Sequence, residues 1–253
     1  MTPTFTTAIA PVGAMFTVNK YGFNSLFLSC FALAMCSFFF ASRLTENKSS
    51  KTPFNQNLSL PGSVLFNRRI VLPSITSFLK SFVCGALVAF FPLYAVECGV
   101  ENPGYFFTAN ALVLIAGRIL AGNIVDAYDK EKIILVCISM ATVSMIILSF
   151  SRTLSLFILV GMIWGAGNAF FFPASMAYAL EYAGSADGPA VGTFRAISDL
   201  GSSLGPVIMG LVVPFTGYNK LFLLLAFICL INLCHFHSCV RQKRKNRVSS
   251  SKL

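Results

Sequence analysis

The sequence predicts an all-α polytopic transmembrane helical bundle, and three observations carry that class. Apolar residues make up 56% of the 253 positions and charged residues 11%, with a mean hydropathy of +0.75. Soluble domains carry about a quarter charged residues, so this balance belongs to a chain solvated by lipid. The apolar residues gather into runs of spanning length, about 20 residues each. The chain also repeats itself. Pro11-Val12 recurs as Pro206-Val207, and Gly22-Phe23-Asn24-Ser25-Leu26-Phe27-Leu28 recurs as Gly217-Tyr218-Asn219-Lys220-Leu221-Phe222-Leu223, both at one ungapped offset of 195 residues. Self-similarity at so long a period marks duplicated multi-helix halves.

In chain order, the first run is Phe5–Val18, about two-thirds of a span and suited to a helix cut by the chain start. Phe23–Ser42 is of full length. Residues 43–69 are rich in Ser, Asn, Lys and Pro and read as a flexible linker. Six further runs follow: Ile70–Ala95, Gly104–Val125, Lys132–Phe150, Leu154–Leu180, Ala190–Val213 and Leu221–Val240. Their brief connections predict one compact bundle of antiparallel neighbours. Lipid offers no water to backbone groups, so each run is expected to be helical. Gly117 with Ala121, Gly161 with Gly165, and Gly201 with Gly205 carry the small-residue spacing that lets helices approach closely, a packing role.

Sidedness follows from Lys and Arg. The linker, the loop at Lys130 and Lys132, and the tail from Arg241 hold thirteen of them, whereas alternate connections hold only Lys20, Arg152 and Lys220. That asymmetry puts the linker and the C-terminus in the cytoplasm, and its parity makes Phe5–Val18 a crossing. The net charge of +10 is therefore a topology signal and not a nucleic-acid footprint. The eight cysteines include no CxxC pair, and most lie inside apolar runs as small hydrophobes. Cys234, His235, His237 and Cys239 spread over more than one helix face, which predicts no metal site. The terminal Ser251-Lys252-Leu253 and the sequons at Asn47 and Asn57 read as chance matches. No nucleotide-binding glycine loop and no hydrolytic or redox motif is present, so neither an enzyme nor a cofactor is expected.

Two stretches carry a resemblance. Gly117-Arg118-Ile119-Leu120-Ala121-Gly122-Asn123-Ile124-Val125-Asp126 resembles the Arg-Xaa-Xaa-Xaa-Gly-Xaa-Xaa-Xaa-Asp signature that major facilitator superfamily carriers place between the second and third helices of each half. A glycine there permits close approach, and an aspartate at a cytoplasmic helix end can be held by a helix N-terminus or an arginine. Gly122 and Asp126 carry over. The family's basic continuation is interrupted here by Ala127, Asp129 and Glu131, which leaves Lys130 and Lys132. Phe194-Arg195-Ala196-Ile197-Ser198-Asp199-Leu200-Gly201-Ser202-Ser203-Leu204-Gly205-Pro206 resembles the eleventh helix of bacterial members, many of them exporters. Ala10-Pro11-Val12-Gly13 resembles the matching stretch of the fifth, short of the glycine-proline pattern of drug antiporters.

The resemblance implies a complete C-terminal six-helix half plus about one and a half helices of the N-terminal half. Residues 1–42 would be the remnant of the first half (end of helix five, helix six), 43–69 the cytoplasmic linker loop, 70–240 the second half, and 241–253 a basic cytoplasmic tail. By the repeat period, the first copy would start roughly 125 residues before Met1.

Charges within spans cost about 2.5–3.5 kcal/mol each on insertion scales and face cavities or partners. At the helical rise, Lys80 stands about 15 Å, Asn168 about 18 Å and Asp199 about 14 Å from the cytoplasmic ends of their helices. Asn110 lies somewhat higher. These four are the candidate substrate-cavity residues, since the resemblance implies a central cavity bordered by their helices. Lys80 could meet an anionic group, and Asp199 a proton or a cationic group. A structural Lys80–Asp199 ion pair and an Arg195–Asp199 pair at i,i+4 spacing are the plainer alternatives. Arg118 and Arg195, near the cytoplasmic ends, fit snorkelling or gating contacts better than substrate binding, and with Gly122 and Asp126 they are the candidate gating and motif residues. Trp164, Phe170, Phe171 and Phe172 could wall an aromatic solute or simply pack.

The implied function is secondary active transport of a small solute by alternating access in the cell membrane, with proton-coupled efflux the lean of the resembled members. Activity is expected to be impaired in a chain of this length. Its partners would be the lipid bilayer, a small-molecule substrate and a proton, with no nucleic acid. The rival class is a non-transporting truncated membrane protein, or a half-transporter that needs a separate N-terminal half.

Overall fold

The computed structural model describes residues 2–43, 68–100, 102–183 and 187–250, and every regular element among them is helical. Most of the linker, both sequons and the last three residues lie outside the described residues. Among the described residues six continuous helices appear: α1 Thr2–Arg43, α2 Arg68–Glu97, α3 Gly104–Ala127, α4 Lys130–Phe150, α5 Leu154–Ala183 and α6 Asp187–Ser250. The eight apolar runs map onto these six because α1 and α6 each join two runs. The joints are Gly22 (φ 80°, ψ 174°) in α1 and Gly217 (φ 73°, ψ 171°) in α6.

Those two glycines are the pair matched by the sequence repeat, and they share one backbone conformation open essentially to glycine alone. In α6 the joint is a hairpin. Ser198 before it and Asn232 after it both reach the same turn of α2: the Ser77 and Ser198 hydroxyls meet at 2.6 Å, and Asn232 Nδ2 donates to Thr76 O at 3.1 Å. The turn itself is pinned by Ser149 Oγ, which donates to Asn219 O at 2.9 Å. A straight apolar helix over Val191–Gln242, 52 residues, would overrun a bilayer core of about 30 Å more than twice, so the break is what lets it fit.

The chain divides into two units, Met1–Pro61 and Gly62–Leu253. In the first, Lys20–Phe40 is apolar on every side and its side chains are largely exposed, Phe27 by 68% and Phe38 by 71%. Such a surface is stable in lipid and not in water. Ser25 and Ser29 return their hydroxyls to the carbonyls of Tyr21 and Ser25, which leaves no donor facing hydrocarbon at these positions.

The second unit packs α2 on α6, α3 on α5, and α4 on both α5 and α6. Its interior forms two clusters. One gathers Phe82, Phe91, Tyr94, Phe106, Phe157, Trp164 and Phe222; the other gathers Ile134, Ile138, Phe171, Tyr178 and Phe236. Phe91 stacks on Phe106 at 4.0 Å between ring centroids, and Tyr94 Oη donates to Ser151 O at 2.5 Å. In lipid the helices gain little from apolar burial and must fit by shape. Gly201 and Gly205 of α6 therefore lie directly on the Phe78 and Phe82 carbonyls of α2, and Gly85 of α2 lies on Ser202. Gly161 and Gly165 of α5 likewise meet the carbonyls of Phe106 and Asn110 in α3. Two of the small-residue pairs seen in the sequence are thus packing positions, and Gly117 of the third meets Ala169 of α5.

At the α3–α4 end of the unit Lys130 of α4 pairs with Glu181 of α5, and Lys132 pairs with Asp129 at 3.0 Å. Tyr178 Oη donates to Glu131 at 3.4 Å. The acidic residues that interrupt the basic loop thus engage local partners.

Candidate functional site

Lys80 sits in the middle of α2, enclosed by the second unit with only 3% of its surface exposed. An ammonium carried there leaves bulk water, a cost of tens of kcal/mol for a bare ion in a low-dielectric medium. Two groups of α5 receive it. Nζ donates to Asn168 Oδ1 at 2.7 Å and stands 3.4 Å from the centroid of the Trp164 ring. The Phe171 ring lies further off at 5.8 Å. Trp164 belongs to one core cluster and Phe171 to the other, so the cation occupies their seam. Trp164 precedes Asn168 by four residues, so one helix face supplies both the ring and the amide. The chain's single tryptophan is thus a cation support, a role the sequence offered only through that spacing.

Asp199 behaves differently. It is exposed on α6, in line with Arg195 one turn before it and with exposed Ser202 and Ser203 one turn after. Among the described residues it forms an ion pair with neither Lys80 nor Arg195. Neither structural pairing weighed from the sequence is present. The helix explains why. Side chains lean toward the N-terminus, so the long Arg195 reaches away from Asp199, and basic-before-acidic is the weaker order for an i,i+4 pair. Arg195 instead lays its guanidinium 4.2 Å from the centroid of the Phe172 ring of α5. Ser203 Oγ bonds the backbone carbonyl of Asp199 at 2.9 Å, so it makes no demand on the carboxylate.

The remaining candidates are dispersed. Asn110 of α3 is half-buried, and its Oδ1 is enclosed without a hydrogen-bond partner among the described residues. Arg118 of α3 is half-buried and close enough to Arg195 for their charges to repel. Gly122 and Asp126 fall in the last two turns of α3, and their side chains lie outside the described residues. Phe171 is buried and Phe172 carries Arg195, so the aromatic run packs and supports cations. Cys239 Sγ and His235 Nε2 meet at 3.9 Å, and no group of three or more metal-ligating side chains occurs among the described residues. The structure thus joins Lys80 to Asn168 inside the unit and sets Arg195 with Asp199 on an outer face.

Comparison with known proteins fits this architecture. The family profile described as Major Facilitator Superfamily matches residues 100–252. The Staphylopine export protein of Staphylococcus aureus is 25% identical over 244 residues, which cover 90% of this chain and 61% of that protein. The Uncharacterized MFS-type transporter MJ1560 of Methanocaldococcus jannaschii is 25% identical over 186 residues, 71% of this chain and 48% of its own length. The chain therefore spans less than two-thirds of the length of these relatives. Among solved structures, the nucleoside transporter NupG superimposes with a TM-score of 0.71 at 17% identity, over 91% of this chain and 65% of NupG, a likeness of fold. With its apolar helical bundle, its glycine-broken hairpin and a profile match over more than half its length, this chain belongs to the Major Facilitator Superfamily.

Proposed function

We propose that the second unit is one of the two bundles of a secondary active transporter that moves a small solute across the cell membrane by alternating access. One observation carries this: Arg195, Asp199, Ser202 and Ser203 form an exposed polar stripe along an otherwise apolar spanning helix. Two charges facing hydrocarbon would cost several kcal/mol together, whereas a hydrated path removes that cost. Asp199 is then the group placed to carry a proton or to meet a cationic part of the solute. Lys80, held by Asn168 and Trp164, is the fixed positive charge behind that path. Alternating access needs two bundles rocking about a midplane site, so the second unit works with a partner bundle, on the same polypeptide or a separate one. The export and transport roles in the names of the relatives support the class and leave the solute open.

Thiol labelling in intact membranes tests the path. Ser202→Cys is expected to react with a membrane-impermeant, charged thiol reagent, while Leu211→Cys, on the same helix but among apolar side chains, stays unreactive. Equal and negligible labelling of both, measured against the parent chain, would sink the aqueous path.

A further inference from the structure

The two charges of the α6 stripe have opposite sign, lie one turn apart and are not spent on each other. Their Cα atoms are separated along the helix by about 6 Å of rise. Arg195 is oriented by the Phe172 ring, and its planar fork suits a carboxylate or phosphate. Asp199 keeps its carboxylate free of the neighbouring serine, whose hydroxyl bonds the backbone instead.

We propose that Arg195 and Asp199 form a paired-charge subsite for a zwitterionic solute, the anionic group on the guanidinium and the cationic group on the carboxylate. A solute with one charge satisfies only one residue and leaves the other desolvated without a partner as the path closes. A zwitterion of matching length satisfies both and crosses with no net charge added, so specificity follows from the pair and not from either member. This rests on α6 lining the solute path, and it adds the chemical class of what passes.

The test is protection of Ser202→Cys against the same charged reagent, in the full chain in membranes. The probes are ω-amino acids from glycine through γ-aminobutyrate to ε-aminocaproate, with butyrate and butylammonium as matched single charges. At least one amino acid is expected to slow labelling saturably while the single ions, alone or mixed, do not. Arg195→Gln and Asp199→Asn should each raise its half-protecting concentration roughly tenfold, the size of one charge-assisted contact, and the double variant little further. Labelling without protection, protection equal to that of the single ions, or protection unchanged in both variants would overturn the subsite and leave the aqueous path standing. A cysteine that never labels, at Ser202 or in the backup variant Ser203→Cys, would overturn the path and the subsite with it.

Discussion

Lys80 is held in the bundle interior by one amide and one indole, and each can be removed separately. Asn168→Leu leaves the ammonium without its hydrogen-bond acceptor and is expected to destabilise the second unit by about 2 kcal/mol, the size of a bond to a charged group. Lys80→Met together with Asn168→Leu should recover most of that loss, because an apolar pair no longer buries a charge. Reversible unfolding in bicelles reads both, and a double variant weaker than the single would contradict the assignment. Depth was legible here: counting residues along each helix put Lys80, Asn168 and Asp199 at one level, and the first two do meet. Azimuth was not legible. Nothing in the count says that Lys80 turns into the bundle while Asp199 turns out.

The helical hairpins depend on glycine for two distinct reasons. At Gly217 a methyl group would touch nothing within 4 Å, so any penalty is purely the positive φ. Gly217→Ala should cost about 1–3 kcal/mol, whereas Gly210→Ala, in helical backbone with only the far edge of Phe90 at 3.6 Å, should be neutral or slightly stabilising. A Gly217→Ala chain as stable as the parent in bicelle unfolding would remove the role given to the joint. At Gly205 the constraint is space, since the Phe82 carbonyl occupies the position of any side chain. Gly205→Leu forces α2 and α6 apart, and loss of a monodisperse, protease-resistant species in detergent is the expected outcome. The repeat in the sequence includes both Gly22 and Gly217, but only the backbone shows that each is a joint. The close seam at Gly85 was not legible, since a lone glycine in an apolar run has no spacing to mark it.

For the whole molecule, orientation is a matter of where Lys and Arg stop. Thirteen against three predicts that a reporter fused after Leu253 is cytoplasmic, and that one inserted at Gly99, between α2 and α3, is external. Finding both reporters on one face would break the even spacing of crossings in the second unit. Family profile and structural likeness agree with the class read from composition and motifs.

Composition and run length by themselves determined that this chain is helical and membrane-spanning. An apolar run of about 20 residues satisfies its own backbone in lipid as a helix, and each of those properties is a sum or a count along the chain. The tertiary structure alone decided which polar groups share a neighbour: the ammonium of Lys80 against Trp164 and Asn168, and Arg195 against Phe172 instead of Asp199. Rotation of a helix about its axis is set by how small residues and carbonyls of adjacent helices fit, a property of pairs of helices and not of any one run.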